Sequence, residues 1–277
     1  MDAQRKRPGV MRPFVDDAWL QAHRDEVVLA DVRWYLDGTS GEAAYRSGHI
    51  PGAVFVDLDR WLSGDAGPAG LNPLPDPAVF ARGLGGLGIG EDTAVVAYDD
   101  AGGVIAARLV WMLRAIGGSA ALLDGGLAAW SGDLGTDLVR LAPQERPVIP
   151  WPAELLADAD EVDAWPGLVL DARNPDRFDG SLQVPSDPLP GHIPGAVNIP
   201  CRRNLDAEGR LLSAATLRET FRRAGVEDGA EVISSCGSGV TACHTLLTLE
   251  HIGLGRGRLY PGGWSEYAAI PGRSAQR

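Results

Sequence analysis

The sequence predicts two tandem copies of an α/β domain, each built on a mostly parallel β-sheet flanked by helices. Four pairs of similar segments recur in the same order, separated by nearly constant offsets of 136 to 143 residues. Within each copy, short apolar strands alternate with helical periodicity, which is typical of a parallel sheet covered by helices. The paired segments are "LADVRW" and "VLDARN", "SGHIPGAVFVD" and "PGHIPGAVNIP", "VVAYDDAGGVIAARLVWML" and "VISSCGSGVTACHTLLTLE", and "LLDGGLAAW" and "RLYPGGWSEY".

The elements follow from these segments in chain order. "VVLADV" and "LVLDA" are predicted to be buried strands, and "GAVFVDL" and "GAVNIP" are predicted strands that begin after a Pro-Gly turn. "AVVAYD" and "EVISSC" are strands followed at once by helices, the first of which stops at Gly117 and Gly118. Residues 132–150 are rich in proline and indicate a linker, so the domains are predicted at 12–131 and 151–277.

Composition excludes several function classes. The net charge of −12 argues against nucleic acid or an anionic membrane as a partner. No apolar run approaches the roughly 20 residues that span a bilayer, and the basic residues 5–7 precede Pro8 and Gly9 rather than a secretory apolar stretch. Three cysteines fit a reducing compartment better than a disulfide framework, so we expect a cytoplasmic protein.

The stretch "SSCGSGVTAC" carries the chemistry. Cys236 directly follows a predicted strand and precedes a helix, which places it where ligands gather in open parallel sheets. Gly237 and Gly239 let the backbone curl so that N–H groups point inward, and the helix N-terminus adds partial positive charge. Both effects favour the thiolate, and the same N–H groups would hold a persulfide on that sulfur.

Other uses of this loop are disfavoured. A phosphatase of the protein-tyrosine type needs an arginine six residues after its cysteine, but Ala242 stands there. Cys236, Cys243 and His244 lack the ligand-pair spacing of a zinc site, so no metal is expected. Cys243 and Cys201 are expected to be core thiols.

The duplicated α/β domains, "GHIPGA" in each half and "CGSGVTAC" together resemble the tandem rhodanese-domain sulfurtransferases, over about residues 14 to 267. The loop "CGSGVTA" is similar to that of the 3-mercaptopyruvate sulfurtransferases. The resemblance implies that Cys236 takes sulfane sulfur from 3-mercaptopyruvate and passes it to cyanide or to a thiol, such as that of a thioredoxin-like protein. It implies no cofactor.

The resemblance also implies roles for residues around the cysteine. Arg173 matches the family's substrate-binding arginine, although Arg33 at the equivalent place in the first copy favours a structural ion pair instead. Gly237, Gly239, Val240 and Thr241 would line the bound donor, and Ser238 would take part in proton handling or donate to the bound anion. The family's second substrate arginine has no match between Phe178 and His192, and Arg177, Arg202 or Arg203 is a candidate to replace it.

In the first copy, Asp100 aligns with the cysteine position, so this half resembles the family's inactive domain. Asp100 stands at a predicted helix start and is expected to cap that helix. His49 matches a histidine used in proton handling, with Asp37 or Glu42 as its acidic partner. His192 stands in the same "HIPGA" setting, so a structural role for this histidine stays open. A thiosulfate sulfurtransferase and a persulfide carrier without turnover are the alternative functions, with thiosulfate disfavoured because the loop offers no cation to a dianion.

Overall fold

The computed structural model describes residues 11–277, so the basic residues 5–7 lie outside the described part of the chain. The chain divides into two compact units. Unit 1 consists of Met1–Leu62, Pro75–Trp151 and Ala207–Leu211, and unit 2 consists of Ser63–Leu74, Pro152–Asp206 and Leu212–Arg277. Within the described residues, no helix is long and apolar enough to cross a membrane.

Unit 1 contains a five-stranded, wholly parallel sheet in the order β1-β5-β4-β2-β3. The three inner strands are buried at every position, as expected for a sheet covered on both faces. The strands are β1 (Phe14–Val15), β2 (Val27–Asp31), β3 (Val54–Phe55), β4 (Ala94–Tyr98) and β5 (Ala120–Leu123).

The first three α-helices of unit 1 begin at side-chain caps. Asp76 accepts a hydrogen bond from the Ala78 N–H and is followed by Pro77 at the first helical position, which fixes the start of the third helix. The helices are α1 (Asp17–Ala22), α2 (Gly41–Ser47), α3 (Pro77–Gly86) and α4 (Ala107–Ala115), with shorter turns at Arg24–Glu26, Leu58–Leu62 and Gly126–Ala129.

Unit 2 repeats this sheet with four parallel strands in the order β7-β6-β8-β9. The counterpart of β1 is reduced to a single parallel bridge between Leu156 and Leu259. The strands are β6 (Leu168–Asp171), β7 (Val197–Asn198), β8 (Val232–Ser235) and β9 (Arg258–Leu259), and the helices are α5 (Ala159–Ala164), α6 (Pro175–Phe178), α7 (Ala214–Arg223), α8 (Ala242–His251) and α9 (Gly263–Tyr267), with turns at Ala153–Leu155 and Cys201–Asn204.

The prediction of two α/β copies with parallel sheets is confirmed. The predicted linker packs on unit 1, where the Gln144 N–H donates to the Gly85 carbonyl. Trp151, which follows the linker, also belongs to unit 1 and donates to the Pro75 carbonyl. The sequence did not indicate that Ser63–Leu74, from the first repeat, belongs to unit 2. In that unit, the Leu71 N–H donates to the Ser265 hydroxyl at 2.9 Å.

Candidate active site

Cys236 lies at the carboxyl end of β8, one of the two inner strands of its sheet. The residue is 2 % exposed. Its loop is held from behind by the start of α9, because the Trp264 N–H donates to the Cys236 carbonyl at 2.8 Å and the Ser265 N–H donates to the Gly237 carbonyl at 2.9 Å. These two loop carbonyls are therefore satisfied by the first N–H groups of α9.

The strand register identifies the counterpart of Cys236 in unit 1. Asp31 pairs with Tyr98, and Asp171 pairs with Ser235, so the next residues, Asp99 and Cys236, are equivalent. The Leu127 N–H donates to the Asp99 carbonyl, just as that of Trp264 donates to Cys236. The prediction that Asp100 holds the cysteine position was therefore wrong by one residue.

The error has a simple structural cause. Gly117 and Gly253 follow the ends of the equivalent helices, and Tyr98 and Ser235 end the equivalent strands. The stretch from strand end to glycine is one residue longer in unit 1 than in unit 2, so the unit 1 loop has one extra residue. Asp100 accepts a hydrogen bond from the Tyr35 hydroxyl rather than capping the helix.

Asp99 shows what this loop binds. Its fully buried carboxylate accepts four backbone N–H groups, all at 2.7 or 2.8 Å. Burial raises the pKa of Asp99, and the four N–H groups oppose that shift. Four donors shared over two oxygens are the pattern of a bound carboxylate, so the loop is an anion cradle that unit 1 fills with its own side chain. The donors are Ala101, Gly103, Ile105 and Ala106.

The glycines of the unit 2 loop are required by its shape. Gly239 has a φ of +74°, and a Cβ there would lie 2.4 Å from the Pro261 carbonyl oxygen. A Cβ on Gly237 would lie 2.9 Å from Nη2 of Arg177. Val240 is 3 % exposed and packs in the core. The loop therefore approaches a guanidinium closely at Gly237.

Arg173 is committed to the interior. Its guanidinium bonds both oxygens of Asp171 and the Gly191 carbonyl, and its side chain is 1 % exposed. Arg33 repeats the arrangement in unit 1 with Asp31 and the Gly48 carbonyl. This repetition favours a structural role, and donor binding by Arg173 stays a prediction.

Arg177, one helical turn later on α6, is the arginine beside the cysteine loop. Its Nε and Nη2 donate to the two oxygens of Asp187 at 2.9 and 2.5 Å. Burial by itself lowers the pKa of Arg177, but the bond to Asp187 and the charges of Asp187 and Cys236 raise it above its ordinary value. Its outer edge, Nη1 and Nη2, faces Gly237. Arg202 and Arg203 are exposed on the turn that begins at Cys201.

The other two thiols and the loop hydroxyls occupy distinct settings. Burial raises the pKa of Cys201 to about 12, and its thiol shares a hydrogen bond with Thr241. Cys243 lies in the first turn of α8, where its thiol donates to the Gly239 carbonyl at 3.4 Å. Ser238 is half-buried on the loop. Cys201 and Cys243 thus support the loop from inside the core.

His49 belongs to unit 1 and has a close twin in unit 2. Its Nδ1 lies 2.8 Å from the Tyr45 carbonyl oxygen, and its ring stacks on Tyr45 at 3.9 Å. His192 likewise bonds the Phe178 carbonyl at 2.9 Å and stacks on Phe178 at 3.6 Å. The shared setting is structural, and a catalytic role for His49 stays a prediction.

The two proposed acidic partners of His49 have partners of their own. The carboxylate of Asp37 accepts from the Thr39 N–H, and that of Glu42 pairs with Arg46. Among residues 11–277, no group of three or more His, Cys, Asp or Glu side chains is placed to hold a metal ion.

Comparison with protein families and with known proteins adds to this geometry. Residues 15–133 and 152–270 each match the family model for a rhodanese-like domain. A Pseudomonas aeruginosa protein, named "Probable 3-mercaptopyruvate sulfurtransferase", is 42 % identical over 264 residues, which are 90 % of this chain and 91 % of that protein.

Two further comparisons bear on the donor. A Mycobacterium tuberculosis protein, SseB, whose name suggests a thiosulfate sulfurtransferase, is 38 % identical and covers 91 % of this chain and 92 % of its own length. The crystal structure of SseA, a 3-mercaptopyruvate sulfurtransferase of Escherichia coli, is 33 % identical with a TM-score of 0.79, over 92 % of this chain and 99 % of that one.

Proposed function

This chain belongs to the rhodanese family and is a sulfurtransferase, and we propose that it moves sulfane sulfur from 3-mercaptopyruvate to a thiol or to cyanide through a persulfide on Cys236. The observation that carries the proposal is the equivalence of Asp99 and Cys236. One loop design holds a carboxylate in unit 1 and presents a sulfur in unit 2, so the cradle suits an anionic thiolate and an anionic persulfide alike.

In the first half-reaction, the Cys236 thiolate attacks the sulfur of 3-mercaptopyruvate. The new S–S bond forms as the C–S bond breaks, and the electron pair of that bond leaves with carbon as the enolate of pyruvate. A proton delivered to that carbon completes pyruvate. In the second half-reaction, an acceptor thiolate or cyanide attacks the outer sulfur, and the thiolate of Cys236 is regenerated.

Arg177 is the residue we assign to the donor carboxylate. Its outer edge faces Gly237, next to Cys236, whereas the fork of Arg173 is bonded to Asp171 inside the fold. A guanidinium edge suits a carboxylate because it presents two parallel N–H groups. Arg177 therefore stands first in our proposal, and donor binding by Arg173 remains the second candidate.

Ser238 and His49 are proposed to handle the proton that the enolate requires. Ser238 lies on the loop two residues after the nucleophile, and His49 has a buried Nε2 that bonds no protein group of the described chain. Protonation matters for 3-mercaptopyruvate and not for thiosulfate, whose sulfite leaves as a stable anion.

Thiosulfate is the alternative donor, and the name of the M. tuberculosis relative is the observation that favours it. Thiosulfate brings two negative charges, and residues 236–242 contain no cation to meet them. We therefore place 3-mercaptopyruvate first. The deciding experiment compares kcat/KM for the two donors with one acceptor, and a thiosulfate value equal to or above that of 3-mercaptopyruvate would reverse the order. Absence of multiple turnover with either donor would favour a persulfide carrier.

A further inference from the structure

The pair of Arg177 and Asp187 is the least expected feature beside the cysteine loop. Asp187 is only 3 % exposed in its side chain, yet both of its oxygens bond Arg177. The same carboxylate lies 3.9 Å from Nη1 of Arg173. A carboxylate with this burial is held inside the fold, so its charge lies next to the guanidinium edge that faces Gly237.

The fold itself does not require this second pair. The pair of Arg173 and Asp171 recurs in unit 1 as Arg33 and Asp31, as expected for a structural element of the domain. The corresponding stretch of unit 1 holds no such pair among its described residues. It holds instead the exposed pair of Glu42 and Arg46 on α2, and Asp37, whose carboxylate accepts from the Thr39 N–H. A pair that is present only in the copy with the nucleophile points to a role in the chemistry.

The segment of Asp187 is also tied to the cysteine loop. The Trp264 indole N–H donates to the Leu189 carbonyl at 2.9 Å, and the Trp264 backbone N–H donates to the Cys236 carbonyl. Trp264 therefore ties both segments together, through its backbone at Cys236 and through its side chain at Leu189.

We propose that Asp187 is a specificity-determining residue that cancels the charge of Arg177 and thereby restricts the sulfur donor to one of low negative charge. Two arginines and two aspartates then form a group of zero net charge, in which only Arg177 is partly exposed: Asp171, Arg173, Arg177 and Asp187. Arg177 keeps its outer N–H edge for one carboxylate, but it offers no surplus charge to a dianion. The inference rests on the proposed function in one respect, which is that the anion bound beside Cys236 is the sulfur donor.

The charge at Cys236 can be measured without turnover by comparing two alkylating reagents. Iodoacetate carries one negative charge and iodoacetamide carries none, while both displace iodide by the same attack of the thiolate. Their rate ratio at Cys236, followed by mass spectrometry of the Cys236 peptide in the full chain, reports the local field. A change in loop shape or in the amount of thiolate would move both rates together.

Replacing Asp187→Asn keeps the side-chain shape and removes the charge. We expect the ratio of the iodoacetate rate to the iodoacetamide rate to rise about tenfold, because removal of one nearby negative charge favours the negatively charged reagent by roughly this factor at moderate ionic strength. Asp179→Asn is the matched control, because Asp179 is an exposed aspartate of the same segment that bonds Ser181, and its ratio should not change. An unchanged ratio in folded Asp187→Asn overturns the inference.

A second pair of variants covers the case in which Asp187→Asn does not fold. Arg177→Gln with Asp187→Asn removes both buried charges, which is less disruptive than leaving one unpaired. The ratio should rise from the Arg177→Gln single variant to the double variant, and equal ratios would again overturn the inference.

Turnover separates this inference from the proposed function. In Asp187→Asn, kcat/KM for thiosulfate should rise relative to that for 3-mercaptopyruvate, mainly through KM. A chain that turns over neither donor contradicts the proposed function but leaves the alkylation result standing. Normal turnover with an unchanged alkylation ratio contradicts the role of Asp187 alone.

Discussion

Asp99 and Cys236 occupy the same position in two copies of one loop, as the strand registers and the bonds to their carbonyl groups show. In unit 1 the anion is a carboxylate that belongs to the chain and closes the loop on itself. In unit 2 the same position carries Cys236, which we propose as the nucleophile that accepts and releases a sulfur atom. The duplication thus provides an internal reference for the active loop.

The first prediction is that Cys236 alone carries sulfur. Cys236→Ser, incubated with 3-mercaptopyruvate, should gain no sulfur atom by intact-mass spectrometry, whereas the unmodified chain gains one. Cys201→Ser is the matched control and should still gain one, because burial raises the pKa of Cys201 to about 12 and keeps its thiol protonated near neutral pH. Sulfur on the Cys236→Ser chain would move the chemistry to Cys201 or Cys243.

The second prediction separates the two arginines of the α6 region. Arg177→Gln should raise KM for 3-mercaptopyruvate about tenfold or more, since a charge-assisted hydrogen bond contributes about 1.5–3 kcal/mol. Arg173→Gln should instead lower the free energy of unfolding by about 3–5 kcal/mol, because it leaves the buried Asp171 carboxylate unpaired.

Arg33→Gln is the control for Arg173, since it breaks the same pair in unit 1. Denaturant titration of unfolding and steady-state kinetics on the same preparations check both effects. A KM effect from Arg173→Gln in a chain of normal stability would restore Arg173 as the donor-binding residue.

The third prediction concerns the charge of the loop. Ser238→Lys adds a cation two residues after the nucleophile, so kcat/KM for thiosulfate should rise relative to that for 3-mercaptopyruvate. Ser238→Gln is the control, because it also introduces a long polar side chain at this position but adds no charge. If both variants change the ratio equally, side-chain size rather than charge sets the donor preference.

Much of the fold followed from pattern alone. Strands such as β4 and β8 are short apolar runs that lead directly into helices, and their repetition in one order made the duplication plain. The sequence did not predict that Ser63–Leu74 packs in unit 2. The packing of a loop depends on tertiary contacts, such as that of Leu71 with Ser265, which leave no local sequence pattern.

The site was predicted less completely. The glycine-rich loop predicts Cys236 correctly as a loop residue after β8, but the prediction of Asp100 as its counterpart misses by one residue. The strand register places Asp99 there, and the one-residue difference in loop length has no local sequence signal. Arg177 stands one helical turn after Arg173, and sequence offers no way to know which guanidinium is bonded inside. Asp187 showed no signal at all, since its importance lies in burial and in its partner.

The fourth prediction tests whether His49 delivers a proton. His49→Gln should lower kcat with 3-mercaptopyruvate and leave kcat with thiosulfate nearly unchanged, because only the enolate needs the proton. His192→Gln is the matched control, since His192 has the same backbone bond and aromatic stacking. If His49→Gln lowers kcat equally with both donors, and His192→Gln lowers it by the same factor, His49 has a structural role only.

The fifth prediction concerns the pH dependence of stability through His244. Burial, followed by the charge of Arg202, lowers the pKa of His244 to about 3 in the folded chain, against an ordinary value of 6.5. Below about pH 6.5 the unfolded chain binds a proton that the folded chain does not, so this residue's contribution to stability is constant above that pH and falls as the pH falls toward 3. At pH 5 the loss amounts to about 2 kcal/mol.

His244→Gln cannot titrate, so the difference in the free energy of unfolding between about pH 7 and pH 5 should be about 2 kcal/mol smaller in the variant than in the unmodified chain. Denaturant titrations of both chains at the two pH values measure this difference, and the comparison cancels every other titrating group. Equal differences in the two chains would mean that His244 gains a proton in the folded state, which its complete burial next to Cys243 argues against.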